Sequence, residues 1–597
     1  MDQAANEKPL CGLLVLALIF ILGGGYLAHL IQTSGGVEIR DLRFMTNEGK
    51  LMSALLYVPK GASQKNPAPG ILATHGYINS RETQDGFAIE FARRGYVVLA
   101  IDQSGHGFSD PPSAGNGFGG IPGLAYLRSL DFVDKNNIGL EGHSMGGWAS
   151  LKAAESNPDG YRSLILASSS TGTYGTKEGT PTFPRNLGLI FSKYDEFSQL
   201  MWNSPIPGDV VKSEKLKKAF GTTETVQVGK LYGSVEEGTA RKLYQPSMNH
   251  PRVHFSREAI GNAVEWMQTT LKGGKNMPPS DQIWYWKEFG TLIALIGMVI
   301  LLFPVGRYLL RTEFFKELNE TPSQRKSIPG WGWWLGAVIT ILLPVPLYMR
   351  MWNFQGQGIL KASYLWPQTI TTVLIFWALS VGGVSLILLL LWHYLSNRKT
   401  GASFVNYGLT WKDKGLEWRK AGKSFLLAVI VTFATYLTLA FSDWAFKTDF
   451  RIWVFAIKPM SVFHFKIALA YFIPFAFYFL IAGLVLHGEL RRSQKDGSDQ
   501  VGWKEMLTNV LLMIGGYILY LAYQYIPLYS GGTAAVTTRW APLYSIVMFQ
   551  FLPIFTMAAL VSTYFYRRTG HVFVGSFINA MVVTWIVVAG QATHFPY

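Results

Sequence analysis

The sequence predicts two architectures in one chain: a mainly parallel β-sheet flanked by helices, joined to an all-α domain that crosses a membrane many times. Short apolar, β-rich runs alternate with amphipathic helical stretches between residues 33 and 286, which is the pattern of βαβ units. Apolar runs of bilayer length occupy 10–32 and recur from 289 to 591. Composition agrees with both. Of 597 residues, 49% are hydrophobic, 14% aromatic and 15% charged, with a mean hydropathy of +0.18, too apolar for a disordered chain or a wholly soluble enzyme. The expected domains are a membrane anchor over 1–32, an α/β domain over 33–286, and a multi-span domain of about eight helices over 287–597.

Within 33–286 the first expected element is an antiparallel hairpin over 42–56 at the sheet edge. Strands follow at 70–74 (GILAT), 96–101 (YVVLAI), 138–142 (IGLEG), 163–167 (SLILA) and 187–191 (LGLIF). Each is a short, continuous apolar run, as a strand covered on both faces requires. Helices are expected between them at 84–94 and 123–133, and after them at 256–271.

Nine spans are expected, near 10–31, 289–310, 331–350, 369–395, 424–444, 464–487, 506–526, 541–566 and 572–591. The first reads as an uncleaved anchor, because it exceeds a signal-peptide core and no small-x-small cleavage site follows Gly25. The net charge of +15 lies in the membrane half: 33–286 holds 26 Lys+Arg against 24 Asp+Glu, whereas 287–597 holds 26 against 12. Lacking a basic excess in its water-exposed part, the chain is not expected to bind nucleic acid. Loops after the even-numbered spans carry 18 Lys and Arg, among them Arg325, Lys326, Lys412, Lys414, Arg492 and Lys495, against 7 in the alternate loops. Basic loops stay cytoplasmic. The N-terminus is therefore expected inside, with 33–286 and the C-terminal Tyr597 outside, in a multi-pass cell-membrane protein of bacterial type. Cys11, the sole cysteine, excludes an intrachain disulfide or a cysteine-based metal site.

Gly142-His143-Ser144-Met145-Gly146 fits G-x-S-x-G and stands after strand IGLE and before the helical run GWASLKAA. Small residues at both ends permit a sharp strand-to-helix turn that exposes the serine hydroxyl beside a helix N-terminus. A serine nucleophile needs a base, and the base an orienting acid. Asp195 follows strand LGLIF in a loop and is the expected acid, with Asp209 or Glu196 as alternatives should Asp195 only cap a helix. His250 is the expected base, and His254, four residues on, is the alternative. His75-Gly76-Tyr77 directly follows strand GILAT, so the Tyr77 and Met145 backbone N–H groups are the expected oxyanion donors.

At this point the sequence resembles the α/β-hydrolase family. HGY, the run 102–109 (DQSGHGFS), GHSMGG, YDEF and the late histidine stand in that family's order over about 240 residues. The resemblance implies an α/β-hydrolase domain in which Ser144 is the nucleophile, Asp195 orients, His250 transfers protons, and Tyr77 and Met145 donate to the oxyanion. It implies a structural role for DQSGHGFS. VDKNNIGLEGHSMGGWASLKAA is most similar to the dienelactone-hydrolase and prolyl-oligopeptidase-like branch. Relatives often carry a helical lid between the strands that match 163–167 and 187–191, but here only 168–186 separates them. The pocket is thus expected to be open, or covered from outside the domain.

In the membrane half, Glu489, Arg491, Arg492, His571 and Asn579 resemble the polar positions of intramembrane CAAX-type proteases, without that family's paired glutamates. They read as topogenic and packing residues. The expected function is a membrane-embedded serine hydrolase that cleaves ester or acyl bonds of an amphiphilic or membrane-proximal substrate through an acyl-enzyme. The alternatives are a serine peptidase of the same fold, or a transporter or receptor whose hydrolase-like domain binds ligand. The expected partners are the lipid bilayer and a small-molecule, lipid-like or peptide substrate, with no cofactor and no metal.

Overall fold

Nine strands form one sheet: β1 (Glu38–Met45), β2 (Leu51–Val58), β3 (Ala68–Thr74), β4 (Val97–Ile101), β5 (Val133–His143), β6 (Ser163–Ala167), β7 (Leu187–Ile190), β8 (Leu231–Tyr232) and β9 (Arg241–Tyr244). The computed structural model describes residues 2–324, 330–411, 415–491 and 502–595. Arg325, Lys326, Lys412, Lys414, Arg492, Lys495 and Tyr597 lie outside the described residues. In space the strands run β1-β2-β4-β3-β5-β6-β7-β9-β8. The first two pair antiparallel at one edge, β2 meets β4 antiparallel, β4 to β9 are parallel, and β8 returns antiparallel.

Alternation along the strands builds a core on each face. Leu72, Leu99, Leu140 and Leu164 pack under helices Gly120–Ser129 and Met145–Ser156, while Ile71, Val98 and Ile165 pack under Asp85–Arg93 and Arg257–Thr270. Central strands buried on both faces read as unbroken apolar runs, which is why β3 to β7 fall on the expected segments. Three details differ. The helix expected at 123–133 spans Gly120–Ser129, and Val133 already belongs to β5. β5 reaches back through the polar run Asp134–Asn137, where its pairing with β3 shifts register after Pro69. β8 and β9 were not among the expected strands. Arg241 of β9 is buried, its guanidinium donating to the carbonyls of Ala219, Ala240 and Thr180. This architecture is an α/β-hydrolase fold.

Among the described residues nine helices are long and apolar enough to cross a membrane, from Leu10–Gln32 to Phe573–Gly590. The third, Trp331–Gly356, is interrupted at Leu343, where Pro344 opens its second half. Aromatic side chains interleave with aliphatic ones in the helical core, with Trp377 stacked on Phe551 at 5.6 Å.

The helical half closes over the sheet's C-terminal ends. A short hairpin, Phe450–Ile452 with Phe455–Ile457, carries Arg451, whose guanidinium donates to Thr83 Oγ1 at 2.9 Å and Ser80 Oγ at 3.2 Å while paired with Asp449. Lys287, at the start of the second span, pairs with Asp85 at 2.6 Å. Past the ninth span, Thr593 N donates to Gly105 O at 2.8 Å and its carbonyl accepts from Ser113 N at 2.7 Å.

Candidate active site

Ser144 sits between β5 and helix Met145–Ser156 with φ 54° and ψ −120°, a conformation a serine adopts only when its surroundings impose it. Ser144 N donates to Ala167 O at 2.9 Å, and its carbonyl accepts from Gly147 N and Ser169 Oγ at 3.0 and 2.7 Å. The flanking glycines follow from close approach: a Cβ on Gly142 would collide with the Gly146 backbone, and one on Gly146 with the carbonyl oxygens of Thr74 and His75.

Asp195 follows β7 and is wholly buried, and His250 opens the turn His250–Phe255 after β9. His250 Nδ1 lies 3.0 Å from both carboxylate oxygens of Asp195. Burial disfavours the imidazolium, but the charge and hydrogen bond of Asp195 outweigh it and hold the His250 pKa above its ordinary value. His254 borders the same cavity, yet neither ring nitrogen has a hydrogen-bond partner among the described residues, and burial pushes its pKa down to about 3. Asp209 lies in a surface turn, paired with Lys212 at 2.9 Å. The carboxylate therefore faces His250. Among the described residues the Ser144 hydroxyl has no hydrogen-bond partner; it borders the same cavity as the His250 ring, and serine–histidine contacts commonly tighten only around a substrate.

Tyr77 and Met145 also border that cavity, and neither backbone N–H donates to another group among the described residues. The Tyr77 loop is braced by the DQSGHGFS run: Gln103 N donates to His75 Nε2 at 3.0 Å, and Asp102 accepts from Arg81 N at 2.9 Å. These residues hold the loop and do not reach the cavity.

Several residues of the site carried no local signal. Glu196, considered only as a substitute for Asp195, accepts the His250 backbone N–H at 2.8 Å and the Tyr525 hydroxyl at 2.7 Å. Burial, then the charge of Asp195, pushes its pKa up to about 7. Trp453 Nε1 donates to Pro251 O at 2.9 Å, and the Tyr77 hydroxyl meets His594 Nε2 at 3.1 Å. A histidine in the polar tail after the last span was the one such residue a sequence reading could have marked.

The cavity holds about 420 Å³. Phe118, Trp148, Phe197 and Met201 wall it from the α/β half, and Trp352, Ile370, Val454, Trp540, Leu543 and Ile546 from the helical half. The α/β domain thus leaves its pocket open, and helices long and apolar enough to cross a membrane supply the cover. A larger cavity, about 570 Å³, lies between the loop after β4 and the start of the sixth span, away from Ser144. Among the described residues no group of three or more His, Cys, Asp or Glu is placed to hold a metal ion.

The family described as serine aminopeptidase, S33, matches residues 65–196, a stretch that contains Tyr77, Ser144 and Asp195. An uncharacterized protein of Mycobacterium tuberculosis is 34% identical over 101 residues, 17% of this chain and 29% of its own length. The 2-(acetamidomethylene)succinate hydrolase of Mesorhizobium japonicum is 33% identical over 106 residues, 17% of this chain and 36% of its own. The chain thus matches about a third of the length of these curated relatives. Among solved structures, a Pyrococcus furiosus esterase aligns at 16% identity over 40% of this chain and 92% of its own, with a TM-score of 0.30. The thioesterase domain from the curacin biosynthetic pathway aligns at 14% identity over 38% and 98%, with a TM-score of 0.25.

Proposed function

We propose that this α/β hydrolase is a membrane-embedded serine hydrolase that cleaves ester or acyl bonds of an amphiphilic substrate at the outer membrane surface. Ser144 attacks the acyl carbon, His250 takes its proton and returns it to the leaving group, and Asp195 holds the His250 ring in position. The oxyanion is received by the backbone N–H groups of Tyr77 and Met145. Water, activated by His250, then releases the acyl group. The dienelactone-hydrolase and prolyl-oligopeptidase-like branch, fused here to a multi-pass domain, is the lineage this reading adopts, with the N-terminus in the cytoplasm.

The observation that carries the reading is the composite cavity. Ser144 and His250 face a space whose far wall is made of Trp352, Ile370 and Ile546 from helices of membrane-crossing length. Such a wall suits an acyl chain and excludes the water that would weaken the oxyanion donors. A peptidase is the second reading, favoured by the description of the matched family. The test is fluorophosphonate labelling of the full-length protein beside Ser144→Ala, followed by turnover of ester and peptide panels. Label on the wild type alone, with ester turnover, is the expected result; equal turnover by Ser144→Ala would end the assignment.

A further inference from the structure

We infer that the cavity selects its substrate by charge: it takes acyl esters whose polar end is anionic, received by Arg539 at the mouth, and turns away substrates that carry a free amine. The inference rests on the hydrolase reading above and goes beyond it in naming the charge of the substrate.

The cavity is bordered by no Asp or Glu among the described residues, and Arg539 is its sole Lys or Arg. The nearest acids of the site are already engaged: Asp195 faces His250, and Glu196 holds the His250 backbone N–H and the Tyr525 hydroxyl. The histidines on the walls cannot offset an ammonium, since an imidazole is either neutral, as burial leaves His254 at about 3 and His594 at about 4, or cationic, the form that Asp195 favours at His250. An ammonium entering this space finds no carboxylate, and an unpaired charge in a largely apolar pocket is costly.

The position of Arg539 gives the polarity a direction. Trp352, Ile370 and Met201 at the inner walls are 1–2% exposed, whereas Tyr174 and Leu200 at the mouth are 49% and 37% exposed, and Arg539 stands exposed with them. The apolar end of a substrate lies inward and its polar end beside the guanidinium. Arg539 is also held there. Its guanidinium lies 5.3 Å from the Trp540 ring centroid. Its loop is tied to the seventh span (Trp503–Tyr529) by reciprocal bonds: Gln524 Nε2 donates to Val536 O at 3.0 Å, and Val536 N donates to Gln524 Oε1 at 2.8 Å. No carboxylate neutralises Arg539 among the described residues. A planar cation held open at the water end suits a phosphate or carboxylate.

The experiment compares kcat/KM of the full-length protein in neutral detergent on three decanoyl substrates: the glycerol ester, the glycerol 3-phosphate ester and the choline ester. A fourth, alanine p-nitroanilide, presents a free amine. The decanoyl ester of glycolate repeats the test with a soluble carboxylate in place of a lipid-like phosphate. The expected order is anionic over neutral by about tenfold, neutral over cationic, with no turnover of the anilide. In Arg539→Gln the anionic-to-neutral ratio falls toward one through a rise in KM, and Arg539→Lys restores part of it; fluorophosphonate labelling of Ser144 reports that each variant is folded. Equal rates on anionic and neutral esters, a preference that survives Arg539→Gln, or efficient anilide cleavage would overturn the inference while leaving an ester hydrolase standing. If no ester is turned over and Ser144 takes no label, the hydrolase reading itself fails, and this inference with it.

Discussion

Tyr525, within the seventh span, donates its hydroxyl to Glu196 Oε1 at 2.7 Å, and the other oxygen of Glu196 accepts the backbone N–H of His250 at 2.8 Å. Asp195 fixes the His250 ring while the adjacent Glu196 fixes its backbone, so two neighbouring acids hold one histidine by different atoms. Through Tyr525 the second of these holds is anchored in the long apolar helix Trp503–Tyr529.

Tyr525→Phe removes that anchor without removing the ring. A single net hydrogen bond is worth about 0.5–1.5 kcal/mol, so kcat is expected to fall about two- to tenfold with label still taken up by Ser144. Steady-state kinetics on a decanoyl ester measures it. Unchanged kcat would show that the seventh span does not steady the histidine.

The pairing of His250 with Asp195 predicts unequal effects at the two histidines. Asp195→Asn is expected to cost about 10⁴-fold in kcat and His250→Ala up to about 10⁶-fold, the usual scale for losing a triad member. His254 has no acid partner, and His254→Ala is expected to stay within about tenfold of wild type. Purified variants assayed side by side decide the matter, and the reverse ranking would move the base to His254.

The pH profile follows from the same pair. Burial alone would lower the His250 pKa, but Asp195 holds it above the ordinary value of about 6.5. A protonated ring cannot accept the Ser144 proton, so kcat/KM and the rate of fluorophosphonate labelling should fall as pH drops through a midpoint above 6.5. Glu196, at about 7, titrates in the same window, and repeating the profile in Glu196→Gln isolates the histidine. In Asp195→Asn burial is opposed only by the smaller effect of the Glu196 charge, and the labelling midpoint should move down. A wild-type midpoint below 6.5 would contradict the geometry.

What was legible in the sequence is what local chemistry dictates. β3, β4, β6 and β7 show themselves because strands covered on both faces must be continuously apolar, and the turn around Ser144 because its glycines answer to close backbone contacts one residue pair at a time. β9 was hidden by Arg241 and Lys242, whose charges hide a strand whose arginine is in fact buried against carbonyls. Asp195 and His250 could be named from their order after strands. Tyr525 and Trp453 could not, and His594 could be marked only as a histidine in a polar tail: the three reach partners 329, 202 and 517 residues away, and nothing in the neighbouring sequence records such contacts.

The basic asymmetry of the loops predicts that the α/β half is outside the cytoplasm. Cys11, the sole cysteine, lies in the first span, so Cys11→Ser gives a thiol-free chain in which Lys65→Cys, on an exposed loop, is a clean reporter. A membrane-impermeant maleimide is expected to label it in intact spheroplasts. Labelling that requires lysis would invert the topology.

A substrate wall and a set of interfacial anchors differ in how they respond to acyl-chain length. Leu543 and Ile546 of the eighth span (Ala541–Thr569) and Ile370 of the fourth (Thr369–Lys399) border the cavity opposite the α/β domain. If they only seat the helices in the bilayer, acyl-chain length should not feel them. If they receive the chain, each methylene they cover contributes up to about 0.8 kcal/mol, so kcat/KM should climb steeply from butanoyl to decanoyl esters. Ile546 is 7% exposed, and Ile546→Ala opens a gap that a long chain cannot fill as well, so the decanoyl-to-butanoyl ratio should fall about tenfold or more. Leu543 is only half-buried, and Leu543→Trp should act in the opposite sense, narrowing the space so that decanoyl esters suffer first and butanoyl esters least. Both ratios are internal to one preparation and cancel differences in yield. A chain-length profile identical in wild type and both variants would mean that the acyl group never reaches the helical half, and that these side chains serve the membrane alone.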